Sequence, residues 1–202
     1  MNSGPGQLDE SLKSHAEALA RGRVEALGEI FLLAGSHLLR YALFLLNDVN
    51  EAEDLVQQSL LKLARKPRQL KRAQAPFAYL MRMVRNEAYT VLSRKKVHAR
   101  KRLSEDLPSR STIPVDFWEI AESVHAAMRT LPLDQMEVVT LRIWEGMTFR
   151  EIAEVMGESQ NTIVSRYRSG LMKLEQKLKA QNPHADLNTI AKGVTIGLDS
   201  IE

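Results

Sequence analysis

Residues 148–170 read TFREIAEVMGESQNTIVSRYRSG, and the side chains of the second half suit contact with DNA. Gln160, Asn161, Val164, Ser165 and Arg168 fall on one side of a helical net, opposite an apolar stripe of Ile163, Tyr167, Leu171, Leu174 and Leu178. Amides and arginines match the donors and acceptors of base edges and phosphates, and small polar residues let a backbone approach a groove. The N-terminus of such a helix adds its own attraction for a phosphate. The chemistry on offer is recognition rather than bond-making. The five histidines (15, 37, 98, 125 and 184) are scattered with no pair at ligand spacing on one helix. There is no cysteine, no phosphate-cradling glycine loop and no Ser/His/Asp signature. No catalytic residue, cofactor or metal is expected, and the chain is expected not to be an enzyme.

A reading helix must be held at a fixed angle, and the preceding residues are suited to do so. Thr148 with Glu151 three positions later is a capping-box pattern that starts one short helix. Ile152 and Met156 are four apart and point inward, and Ala153 is small where two helices must cross. Gly157 sits at the turn, where a left-handed backbone is easy only for glycine. Ser159 can cap the second helix, which should run to about residue 180. This is a helix-turn-helix, with one departure: Glu158 stands where such turns usually place an apolar residue. Upstream, residues 133–145 form a further helix closed by Gly146. Before it, Ile120, Val124, Ala127, Met128 and Leu131 share the face of a helix that begins near residue 116 and ends at Pro132.

The first half has the same all-helical character. Leu27, Ile30, Phe31, Ala34, Leu38, Tyr41, Ala42 and Leu45 make one stripe, punctuated by Asn47 and Asp48. A second helix starts near Asn50 with acids in its first turn, and Ala52, Leu55, Val56, Ser59, Leu60 and Leu63 form its stripe. Pro67 ends it and a basic loop follows to Ala75. Pro76 then suits the first turn of a third helix, in which Phe77, Leu80, Met81, Val84, Ala88 and Val91 recur. The apolar run 30–46 is broken by Gly35, Ser36, His37 and Arg40, so it reads as a buried helix rather than a membrane span. The first ten residues have neither the basic start nor the apolar core of a signal peptide, and a cytoplasmic location without membrane insertion is expected.

Charge divides the chain further. The net charge is only +3, yet residues 62–102 hold 14 of the 28 lysines and arginines against one acid, Glu87. Residues 41–61 hold no cation, and Asp48, Glu51, Glu53 and Asp54 cluster there. The basic block points to a polyanion and the acidic block to a partner of opposite character; solvated helix faces are the plain alternative for either.

These stretches resemble a known family. NEAEDLVQQSLLKLAR followed by PFAYLMRMVRNEAYTVLSRKK is similar to region 2 of a bacterial RNA polymerase sigma factor. LPLDQMEVVTLRIWEGMTFREIAEVMGESQNTIVSRYRSGLMKLEQKL is similar to region 4. Only these two regions occur, as in the extracytoplasmic-function subfamily. The resemblance implies two helical domains joined by a flexible linker: an arm at 1–25, region 2 at 26–96, a linker at 97–117, region 4 at 118–180 and a tail at 181–202. It also implies sites. Glu53, Asp54, Gln57 and Gln58 would dock on the clamp helices of the largest polymerase subunit, with the polymerase flap a further contact. Arg82, Arg85, Asn86, Arg94, Lys95 and Lys96 would open and hold the −10 region, with Phe77, Tyr79 and Tyr89 as nearby aromatics. Phe77 is expected to pack in the core, and Tyr79 stands where many relatives have tryptophan. At the −35 element, Arg142, Arg150, Arg166 and Ser169 would join Gln160, Asn161, Val164, Ser165 and Arg168. Relatives often carry Lys or Arg at the position of Val164, and an anti-sigma factor is a partner the family allows. A free-standing helix-turn-helix regulator, or an adaptor with a merely solvated basic segment, are the alternatives.

Overall fold

The computed structural model describes the backbone of residues 5–101, 127–128 and 130–181, with side chains for the same residues except 5–7, 97–101 and 178–181. The expected linker beyond residue 101, the helix start near residue 116 with Ile120 and Val124, and the tail 182–202 lie outside the described residues. The described residues are helical, with no strand among them, and fall into two compact units.

The first unit holds α1 (Pro5–Ala20), α2 (Ala26–Leu46), α3 (Val49–Arg65), α4 (Pro67–Arg72) and α5 (Pro76–Lys101). α2 is the central helix and packs on α1, α3 and α5. By length and composition it could cross a membrane, but Ile30, Ala34, Leu38, Tyr41 and Ala42 are fully buried, which makes it a core helix. Phe31 departs from the expected stripe: it is 49% exposed, and its ring lies over Gly35, where a Cβ would meet it at 2.7 Å. Asn47 and Asp48 divide the punctuation between them. Asn47 takes the left-handed conformation (φ 55°) and closes α2 through its amide to the Leu43 carbonyl, while the Asp48 carboxylate accepts from the Glu51 amide at 3.0 Å and caps α3.

Three stretches differ from the sequence reading, one of them the expected linker at 97–117, whose first five residues continue α5 to Lys101. The expected arm at 1–25 contains α1, whose Leu8, Leu12, Ala16 and Leu19 are buried against the unit; its neighbours are α2, α4 and α5. Four buried apolar positions in sixteen make too narrow a stripe to stand out in a polar segment. The Asp9 carboxylate reaches across the fold and accepts from the Phe77 amide at 2.7 Å, so α1 also supplies the cap of α5 next to Pro76. Leu12→Ala is therefore expected to lower unfolding stability by about 2–5 kcal/mol, the cost of a buried Leu truncation. Denaturant unfolding reads it, and a loss below about 0.5 kcal/mol, ordinary for a surface position, would return α1 to the status of an arm.

The third difference is α4. Pro67 ends α3 but also begins a short helix, because proline at the first helical position lacks only a donor that would have no partner. Leu70 is fully buried and anchors it, so the basic loop expected here is a docked helix.

The second unit holds α6 (Leu133–Ile143), α7 (Phe149–Met156) and α8 (Gln160–Gln181), with Ala127, Met128 and Leu131 buried beside them. α6 and α8 cross closely. A Cβ on Gly170 would lie 2.9 Å from Val139 Cγ2, so the crossing requires a residue with no side chain. The capping box is complete: the Thr148 amide donates to Glu151 Oε2 at 2.6 Å and the Glu151 amide to Thr148 Oγ1 at 3.3 Å. Gly157 (φ 70°) ends α7, and the Thr162 amide donates to Ser159 Oγ at 3.1 Å to start α8.

Candidate nucleic-acid interface

α8 separates its two faces as its spacing requires. Of the expected stripe, Ile163 and Leu174 are buried together with Gly170, Tyr167 and Leu171 are half-buried, and the Leu178 side chain lies outside the described residues; Gln160, Asn161, Ser165 and Arg168 are exposed. Asn161, Ser165, Arg168 and Met172 follow one another at helical spacing on the outward side, with Val164 and Ser169 half-buried at its edges. Arg168 is exposed and has no ion pair among the described residues.

The other arginines of the unit differ in how they are held. Arg150 is exposed in the first turn of α7. Arg142 is half-buried: its Nη1 donates to the Met147 carbonyl at 2.8 Å, and its guanidinium lies 5.0 Å from the centre of the Phe149 ring. Phe149 in turn meets Tyr167 edge-on at 5.3 Å. This stack joins α6, α7 and α8, so Arg142 first of all holds the unit together. Arg166 is turned back and ion-paired, its Nε 3.0 Å from Asp134 Oδ2 and its Nη2 3.3 Å from Glu158 Oε1.

α5 gathers most of the residues expected at the −10 region. Tyr79, Arg82, Arg85, Asn86, Tyr89 and, two turns further on, Lys96 share one face by helical spacing, while Phe77, Leu80, Met81, Val84 and Ala88 are buried on the other. Arg85 stacks over the Tyr89 ring at 4.5 Å. Burial raises the Tyr79 phenol above its ordinary value, against the opposing pull of the Arg82 charge, so its hydroxyl stays protonated and donates to Gln69 Oε1 at 2.8 Å. Arg94 is exposed beyond this face. Lys95 is not part of the face. It sits on the side of α5 that meets α3, where its Nζ pairs with Glu51 Oε2 at 2.5 Å; Lys62 and Glu87 make a second α3–α5 bridge at the same distance.

Residues that the sequence reading left unassigned extend the basic surface. Arg65, Lys66, Arg68, Lys71 and Arg72 are all exposed, and none has an ion pair among the described residues. The Tyr79–Gln69 hydrogen bond ties the helix that carries Arg68, Lys71 and Arg72 to the basic face of α5. The signal was present in the count of cations, but a loop gave no reason to place them together.

α3 presents a surface of opposite character. Glu53, Asp54, Gln57 and Gln58 form one exposed strip, opposite buried Ala52, Leu55, Val56, Ser59, Leu60 and Leu63. Glu53 and Asp54 have no ion pair among the described residues. No group of His, Cys, Asp and Glu among the described residues is arranged to hold a metal ion.

The chain is similar to known proteins in sequence and in fold. Residues 33–97 match the family model described as Sigma-70 region 2, and residues 121–174 match that described as Sigma-70, region 4. An RNA polymerase sigma-E factor of Streptomyces antibioticus is 28% identical over 171 residues, covering 81% of this chain and 91% of its own length. The RNA polymerase sigma-E factor of Streptomyces coelicolor is 28% identical over 152 residues, covering 72% and 81%. Among solved structures, the sigma factor RpoE in complex with the anti-sigma factor NepR from Bartonella quintana superposes with a TM-score of 0.63 at 24% identity, over 77% of this chain and 98% of that one. CnrH in complex with the cytosolic domain of CnrY gives 0.63 at 19%, over 86% and 98%. At these identities the structural likeness is one of fold.

Proposed function

Because the chain belongs to the sigma-70 family of RNA polymerase sigma factors, in its extracytoplasmic-function branch, and so is an initiation factor rather than an enzyme, we propose that it binds core RNA polymerase and directs it to promoters by reading −35 and −10 elements. The outward face of α8 carries this reading. Asn161, Ser165 and Arg168 are exposed there on a helix that follows a complete capping box and a glycine turn. In the major groove the amide and guanidinium would meet base edges or phosphates, and the half-exposed methyls of Val164 suit a thymine methyl.

The basic face of α5 would hold the opened −10 strand, its cations on phosphates and its aromatics beside unstacked bases. Asn86 is exposed at the centre of that face. The α4 cations would continue the same track. The exposed strip of Glu53, Asp54, Gln57 and Gln58 would dock on the polymerase, where the absence of cations keeps it from competing for DNA. An anti-sigma factor is a further expected partner, in keeping with the two neighbours solved with a bound partner. The setting is the cytoplasm, where polymerase and chromosome are.

Two measurements test this. Free chain should bind promoter DNA weakly, and binding should become strong and sequence-dependent once core polymerase is added. Tight operator binding by the free chain would instead favour a stand-alone regulator. Replacing Arg68, Lys71 and Arg72 together by glutamine should flatten the salt dependence of open-complex binding by about two units of log–log slope, at roughly 0.7 per single-strand phosphate contact. An unchanged slope would remove α4 from the DNA path.

A further inference from the structure

Arg166 is held on the inward side of α8. It lies one turn from buried Ile163 on one side and buried Gly170 on the other, and its side chain is only 25% exposed. Two edges of its planar guanidinium are occupied: Nε faces Asp134 Oδ2 at 3.0 Å and Nη2 faces Glu158 Oε1 at 3.3 Å. Asp134 is in the first turn of α6, Glu158 is in the turn after α7, and Arg166 is on the reading helix. One side chain therefore ties together the three segments whose mutual pose defines this unit. With two carboxylates around one cation, the cluster carries a formal net negative charge, which disfavours a phosphate contact.

We propose that Arg166 is a positioning residue: the Asp134–Arg166–Glu158 clasp sets the angle at which α8 leaves the turn, and so tunes selectivity at the −35 element without contacting DNA. This rests on the reading of α8 as the DNA-reading helix. It also accounts for Glu158, which stands where such turns usually carry an apolar residue. The turn is docked by a charge-assisted fork rather than by a buried side chain. A guanidinium suits the task because its donors are fixed in a plane and transmit orientation. Its carboxylate partners are about two-fifths exposed. Exposed pairs contribute little to stability, so the clasp governs pose more than folding.

The test uses the full chain in complex with core polymerase, on promoter DNA with a matched and with a scrambled −35 element. Glu158→Gln, Asp134→Asn and Arg166→Met are compared with the unsubstituted chain. Each should reduce the matched-to-scrambled affinity ratio by roughly threefold to tenfold, within the range that contacting residues couple. The salt slope and the helical circular dichroism should stay the same, and the Glu158→Gln/Asp134→Asn double variant should be no worse than Arg166→Met. The proposal is overturned if Glu158→Gln tightens binding to both DNAs while Arg166→Met flattens the salt slope by about one unit, the mark of a lost phosphate contact. Unchanged ratios in all three variants overturn it equally. If the unsubstituted complex does not distinguish the two DNAs, the reading of α8 itself falls, and the clasp with it.

Discussion

Asp54→Lys is expected to weaken binding of the chain to core RNA polymerase by roughly 100-fold, since opposing a like charge or stranding a partner's charge at an interface costs several kcal/mol. The expectation follows from where Asp54 sits. It lies beyond the first turn of α3, so it neither caps the helix nor gains much from its dipole, and Asp48 already serves as the cap. It has no ion pair among the described residues, and its neighbours on the exposed strip are Glu53, Gln57 and Gln58. Removing it should therefore leave the fold intact, with stability within about 0.5 kcal/mol as at an ordinary surface position. Titration of labelled chain with purified core reads the affinity, and thermal unfolding supplies the control. Unchanged affinity would move the docking surface off α3.

Arg168→Ala should reduce promoter binding by the polymerase complex about fivefold or more, from the ~1–3 kcal/mol that a lost base contact carries. Binding to core alone should not change. Arg168 is the exposed cation at the middle of the outward α8 face, with no ion pair among the described residues, in contrast to Arg142 and Arg166, which are engaged within the unit. Arg168→Lys discriminates the two modes of contact. If the guanidinium forks onto a base, lysine should not rescue; if it meets a phosphate, lysine should rescue most of the loss and leave sequence preference intact. Equal promoter binding by Arg168→Ala and the unsubstituted chain would take Arg168 out of the interface.

The elements that sequence revealed are those with local causes. The Thr148–Glu151 box, Gly157 in the left-handed region, Ser159 as a cap and Pro76 at a helix start each depend on residues within a few positions, and each is present in the structure. The all-helical fold and the family follow from long stripes and from two motifs in a fixed order. What sequence did not reveal depends on surfaces that meet from afar. α1 is a helix because Leu12 and Ala16 find a buried surface made by later helices, and nothing in its own polar sequence announces that surface. α4 was obscured because Pro67 is both an end and a beginning.

The site residues divide in the same way. Side chains on an outward helical face, such as Asn161, Arg168, Arg82 and Asn86, can be placed by counting turns. Lys95 is basic and near the others in sequence, yet it points to α3 and pairs with Glu51. Arg166 and Glu158 are a pair across a turn, joined by Asp134 from another helix, and no periodicity relates the three. Glu158 therefore reads as an anomaly in the motif until its partner is seen.

On the proposed function, this chain confers promoter specificity on a polymerase that lacks it. Transcription by purified core polymerase on a library of bacterial genomic fragments, with and without the chain, measures this directly. Discrete transcripts should appear only when the chain is present, start downstream of a shared pair of spaced sequence elements, and be lost with Asp54→Lys. No chain-dependent start sites in such a library, with binding to core demonstrated in the same preparation, would contradict it.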